Sequence, residues 1–365
     1  MKVMVTGGAG YIGNELVYRL SAEPGIKDIL VYDNLCKGNY NLFTGLRKVP
    51  GRNVRFFRAD ILDSRNLRKH MEGMDVVIHL AGKVETPFAD QNAHDFEQTN
   101  HWGTAEVVYA AEEVGVKRLM YLSSQSVYGQ GEVSSTDHPR VPSSYYSISK
   151  MRGEDHVMRL MEKLPVQLIR CANVYGYSKN LRVETPINQM IFDAQFTNRI
   201  AIHGSPEHTQ THISVYRLVE VMARMVKREM ESDVYNLSHR KISSLGMVDA
   251  LKALYPDLET IFVDQHIPLH DLTIECDERL QTMLPDDTRM EEDLAKFKEL
   301  FTFLTFLLFF LSSWLSSTNS SLSVSPVFLK CLTISTILGE LSGRILVTLT
   351  SFLNCSAINL STCKR

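Results

Sequence analysis

The sequence has no surplus of charge of either sign: 39 Lys and Arg face 42 Asp and Glu, a formal net charge of -3. That excludes the basic field that nucleic-acid binding needs and leaves a small molecule as the expected partner. A CxxC pair is missing as well. The six cysteines, Cys36, Cys171, Cys276, Cys331, Cys355 and Cys363, have no metal-ligand spacing, which argues against a disulfide framework and for a reducing, cytoplasmic setting. The opening MKVMVTGG lacks the apolar core of a signal peptide and reads as a strand, so secretion is not expected. After Glu299 there is no Asp, His, Tyr, Gln or Met, and the apolar run FTFLTFLLFFLSSWL falls short of the roughly 20 residues of a membrane-spanning helix. Three readings suit residues 300–365: membrane association through residues 300–316, an extra partly buried segment, or an out-of-frame end. The loss of whole residue types favours the last.

Before that break, short apolar β-rich runs alternate with helical stretches. KVMVT, DILVYD, VRFFRAD, DVVIHLA, KRLMYLS and VQLIRC suit strands buried on both faces of a parallel sheet. Helices are expected over 14–22, 104–114 and 150–164, the last stopping before Pro165. This rhythm implies a doubly wound α/β fold. It divides the chain into a sheet-forming domain at 1–171, a smaller substrate-binding region at 172–299 interleaved with the first, and an atypical Ser/Thr/Leu-rich tail at 300–365. Further helices are expected over 218–228 and 245–254.

The first strand runs into TGGAGYIG, where Gly7, Gly10, Tyr11, Ile12 and Gly13 form the turn into a helix. Glycines there allow a tight turn, close backbone approach to a pyrophosphate and close helix-on-strand packing. At the end of the second strand VYDN brings Asp33, with Asn34 beside it, at the spacing of an acidic residue that takes ribose hydroxyls. A carboxylate there repels a 2′-phosphate, so the expected cofactor is NAD rather than NADP. Other strand ends offer Asp60 and Ile61 in ADIL, Leu80, Ala81 and Gly82 in HLAG, and Ser123 and Ser124 in LSSQSVYG. In SYYSISK, Tyr146 and Lys150 stand four apart, on one face of a helix, where an ammonium favours the phenolate. Tyr145, five before Lys150, points off that face.

TGGAGYIG, Asp33, HLAG, Asn100 of NHWGT, LSSQSVYG, YSISK and RCANVYG occur in order from residue 1 to about residue 284. This series resembles the extended short-chain dehydrogenase/reductases, the NAD-dependent sugar-nucleotide epimerase/dehydratase family. The resemblance implies a Rossmann-type sheet with a smaller C-terminal substrate region, NAD as cofactor, a nucleotide-sugar substrate and a homodimer. It implies that Tyr146 is the catalytic base, that Lys150 binds the nicotinamide ribose and lowers the tyrosine's pKa, and that Ser124 holds the reacting oxygen. Asn100 is expected near the active site, Asn173 at the substrate diphosphate, and Lys83 as a further polar contact on the substrate.

The resemblance also bears on the reaction. The family's 4,6-dehydratases carry an acidic pair directly after the catalytic Ser/Thr, and its decarboxylases an acid at the second of these positions; here Gln125 and Ser126 are neutral. Oxidation and re-reduction at one carbon, a 4-epimerisation, is the expectation. A keto-sugar reductase or a sterol-type dehydrogenase needs the same triad, and a non-catalytic NAD-binding scaffold or sensor is the alternative of another class. One departure stands out: Gln210 falls where the family's RDFIHV has an Arg for a substrate phosphate, leaving Arg217 and His212 as substitutes or as ordinary surface residues. The loop histidines His203, His208 and His212 lack a carboxylate pattern, so no metal is expected.

Overall fold

A computed structural model describes residues 1–38, 40–42, 49, 53–84, 93–263, 271–285 and 287–299. The tail at 300–365, and with it the membrane reading of residues 300–316, lies outside the described residues. Among the described residues no helix is long and apolar enough to cross a membrane.

The six apolar runs form parallel strands β1 (Lys2–Thr6), β2 (Asp28–Asp33), β3 (Val54–Arg58), β4 (Val76–His79), β5 (Arg118–Ser124) and, after a short β6 (Gly131–Val133), β7 (Val166–Cys171). They join with β11 (Asp233–Leu237) in the order β11-β7-β5-β4-β1-β2-β3, every pairing parallel. The chain thus builds outward from β1 to β3, returns to β4 beside β1, and builds the other way. That reversal is the switch point at which open α/β sheets bind ligands beyond their strand ends.

Alternation along the strands fills two apolar layers. Val3, Val5, Ile29, Val31 and Ile78 face α1 (Tyr11–Ser21) and α7 (Val215–Lys227) through Leu16, Leu20, Leu218 and Met222. Met4, Leu30, Tyr32, Val77 and Leu119 face α4 (Gly103–Val114) and α5 (Tyr145–Leu160) through Val107, Val108, Val157 and Leu160. The order between is α2 (Ser64–Met71), α3 (Ala93–Phe96) and a π-helical segment, Glu97–Trp102, that runs directly into α4.

Beyond β7 the chain adds β8 (Asn173–Tyr175), α6 (Pro186–Thr197), β9 (Arg199–His203), β10 (Thr209–Ser214), β12 (Arg240–Ser243), α8 (Ser244–Leu254), β13 (Glu259–Val263), β14 (Leu272–Ile274) and α9 (Glu278–Gln281). β6, β8, β10, β12 and β14 make a second sheet over the carboxyl ends of the main strands, and β9 pairs with β13. The main-sheet strand β11 therefore comes from the C-terminal part of the chain.

The turn from β1 to α1 depends on missing side chains. Gly7 sits at φ +69, and a Cβ there meets the backbone of Ala81 at 2.6 Å; a Cβ on Gly13 meets the Gly7 carbonyl oxygen at 2.3 Å. Gly25, by contrast, has φ +94 but nothing within 4 Å of an added Cβ. Gly13→Ala is therefore expected to cost about 3 kcal/mol or more through backbone collision, and Gly25→Ala about 1 kcal/mol through strain alone. Urea denaturation of the two variants checks this; equal costs contradict the packing argument.

Candidate functional site

At the switch point the glycine turn, the ends of β2, β4 and β5, and the start of α5 converge. Asp33 ties the turn to β2: one carboxylate oxygen accepts from the Ala9 amide at 3.0 Å and the other from the Leu35 amide at 2.8 Å. Burial pushes its pKa up while these two amides hold it down. Asn34 donates to the Asp60 carboxylate at 2.8 Å, and the Tyr32 hydroxyl donates to the Asp60 carbonyl at 3.2 Å. The Ile61 side chain is buried against Gly103 of α4, which leaves its backbone at the end of β3 beside Asp60. α1 begins at Tyr11 with Gly10 as its cap and no side-chain cap bond, which leaves its first amides open to an anion. The Tyr11 hydroxyl donates to the Gly176 carbonyl at 2.7 Å.

On the other side of the switch, Asn100 is buried in the π-helical segment, a geometry frequent at functional sites. Its amide accepts from the Lys83 backbone at 2.8 Å and donates to the Lys83 carbonyl at 2.9 Å, with Ser149 of α5 in reach at 3.1 Å. The residue thus pins the loop after β4, including Leu80, Ala81 and Gly82, to the helix that carries Tyr146. The Lys83 ammonium is paired with Asp95.

α5 begins with a reciprocal capping box, Ser144 with Ser147. Tyr146 follows at once, and its phenol lies near enough to the Ser124 side chain at the end of β5 for that hydroxyl to favour its ionised form. Burial raises the phenol's pKa, while Ser124 and the Arg182 guanidinium oppose the rise. Lys150, one turn on, is buried; its ammonium donates to the Leu122 carbonyl at 2.8 Å and lies over the Tyr121 ring at 4.2 Å. Burial pushes its pKa down to about 7, against the pull of Glu154. Tyr145 is half exposed, off this face.

After Ser124, the Gln125 side chain is buried and points to β10: its carbonyl accepts from the Thr211 hydroxyl at 2.6 Å and its amide donates to the Thr211 carbonyl at 3.4 Å. The Ser126 hydroxyl donates to Ser124 at 3.0 Å. Asn173 donates to Gln210 at 2.8 Å across β8 and β10, so two neutral amides stand together where an Arg was expected. Neither Arg217 nor His212 is a surface residue. Arg217 is buried in an ion pair with Asp293 at 2.6 Å, and burial lowers the His212 pKa to about 4.

Two contributors had escaped the sequence reading. Arg182, from a loop of the C-terminal part, donates to the Val84 carbonyl at 3.3 Å and acts electrostatically on Tyr146. Glu154 stands two turns beyond Tyr146 on the same helix face, fully buried, accepting from Ser123 at 2.6 Å and from Arg170 at 2.9 Å. The spacing of Glu154 from Lys150 was visible in the sequence; its burial against Arg170 of β7 was not.

The buried lysine sets a pH dependence. Because its folded pKa lies below that of the unfolded chain, the unfolded state binds the extra proton between about pH 7 and 10.4, and stability rises with pH over that window. The burial cost is fully present below about pH 7. Lys150→Met should therefore gain stability relative to the parent chain more at pH 6 than at pH 9. Thermal melts of both proteins at the two pH values measure the difference, and a gain that is equal or larger at pH 9 contradicts the assignment.

The chain has relatives in sequence and in fold. The model of the NAD dependent epimerase/dehydratase family matches residues 3–238. The human dTDP-D-glucose 4,6-dehydratase is 31% identical over 244 residues, covering 65% of this chain and 68% of that protein. A putative UDP-glucose 4-epimerase of Methanocaldococcus jannaschii is 26% identical over 258 residues, covering 68% and 81%. Among solved structures, the UDP-glucuronic acid 4-epimerase of Bacillus cereus, in complex with UDP-glucuronic acid and NAD, superposes with a TM-score of 0.72 at 21% identity, covering 82% of this chain and 98% of its own. Matched by that family model over well more than half of its length, the chain belongs to the NAD dependent epimerase/dehydratase family.

Proposed function

We propose that the protein is an NAD-dependent 4-epimerase of a nucleotide-linked sugar. The groove suits NAD: glycines leave room for a pyrophosphate over the first amides of α1, and Asp33 is an anchored acceptor for ribose hydroxyls that disfavours a 2′-phosphate. When bound, NAD supplies reversible hydride acceptance beside the sugar. The chain's own part is to move one proton and to hold the sugar. Tyr146 takes the proton of the 4-hydroxyl while Ser124 holds that oxygen, and after the keto sugar has turned over in the site Tyr146 returns the proton. Lys150 orients the nicotinamide ribose, and Asn173 faces the substrate diphosphate. The Rossmann-type part and the smaller C-terminal region thus divide cofactor and sugar between them.

The observation that carries this reading is the pair after Ser124. Elimination of water needs a second acid and base beside the sugar. Gln125 is turned into the β10 contact and Ser126 is bound to Ser124, so neither offers one. The 31% identity to a 4,6-dehydratase favours the second reading, dehydration. Incubation with UDP-glucose and dTDP-glucose separates the two. The expected product is the 4-epimer at unchanged mass; a product lighter by one water contradicts the proposal. Tyr146→Phe should lower turnover by about 10²–10⁴-fold while NAD stays bound, and a fully active variant removes Tyr146 from its role.

A further inference from the structure

Outside the groove, two histidines face each other across the segments that carry the site. His101 lies in the π-helical segment beside Asn100, and His156 lies on α5, six residues beyond Lys150. Their Nε2 atoms are 3.3 Å apart and their ring centres 5.3 Å apart. The nitrogens are nearer than the centres by almost the reach of two rings, so the imidazoles meet edge to edge through these atoms. That separation is within reach of an N–H···N hydrogen bond and also suits a shared ion. A tetrahedral zinc ion about 2.0–2.1 Å from each nitrogen would set the nitrogens about 3.3–3.4 Å apart and the ring centres about 5.2 Å apart. Both observed distances match.

A second feature fits a metal. The other ring nitrogen of His101 is bound to the Glu97 carboxylate at 2.9 Å. That contact puts the proton on Nδ1 and makes Nε2 an acceptor, for a proton of His156 or for a metal ion, as carboxylate partners do for metal-bound histidines. Glu97 is itself held by Arg152. The pair is distinct from His203, His208 and His212.

We propose that His101 and His156 form a two-imidazole site for a divalent transition ion, zinc in the first instance, that clamps the Asn100 segment to the catalytic helix. Among the described residues no third His, Cys, Asp or Glu joins them, so water completes the coordination. His156 enters as its Nδ1–H tautomer.

Titration calorimetry with zinc chloride on the full chain tests the site. Saturable binding of one ion is expected, abolished by His156→Gln and by His101→Gln and weakened about tenfold by Glu97→Gln. Zinc should also raise the melting temperature of the parent chain and leave that of His156→Gln unmoved. Should a variant fold poorly, cobalt(II) on the parent chain decides: an intense tetrahedral visible spectrum displaced by zinc supports the site. An octahedral spectrum, or equal zinc binding in folded His101→Gln and His156→Gln, overturns it.

Discussion

The geometry of the site rests on one buried ion pair. Glu154 of α5 and Arg170 of β7 meet with both side chains almost wholly out of water, and Ser123, Arg140 and Tyr128 fill their remaining hydrogen-bonding capacity. Such a pair adds little net stability over an apolar replacement, yet removing one partner leaves an uncompensated buried charge and costs about 3–5 kcal/mol. Its consequence is positional. Ser123 is the neighbour of Ser124, and Glu154 is one turn beyond Lys150, so the pair sets the helix against the strand end at which Tyr146 meets Ser124. Gly153 lets the same helix approach the Asn100 segment, since a Cβ there meets the Asn100 carbonyl at 2.7 Å.

Desolvation then governs the chemistry. The same burial that fixes Tyr146 and Lys150 favours their uncharged forms, raising one pKa and lowering the other. A Tyr and Lys on one helix face are expected to help each other ionise. In the fold, the ammonium is bound to the Leu122 carbonyl, and the groups that ease ionisation of Tyr146 are Ser124 and Arg182. Nearby His79 follows the same rule: locked between Thr6 and Thr104, it has a pKa pushed down to about 3 and serves as a neutral bridge between strands and helix.

How much of this was legible in the sequence follows from the range of the interactions. Local signals read well: the six apolar runs became six strands of the main sheet, and the glycine turn and Asp33 came together where spacing put them. Helix starts read less well, because the capping box at Ser144 and the π-helical turn before Gly103 begin their helices earlier than the apolar periodicity does. β11 was missed: DVYNL is short and carries polar residues, and only pairing with β7 makes it a strand. Arg182, Glu154 and the pairing of Gln125 with Thr211 depend on contacts between distant parts of the chain, and no local pattern encodes them.

Epimerisation returns each hydride to the carbon that gave it, so its cofactor has no reason to leave the groove between turnovers. The most direct measurement is therefore mass spectrometry of the small molecules released when the purified protein is denatured without added cofactor. The account predicts NAD at close to one per chain. A protein that carries no NAD, or that carries it only when it is supplied, would contradict a cofactor regenerated in place.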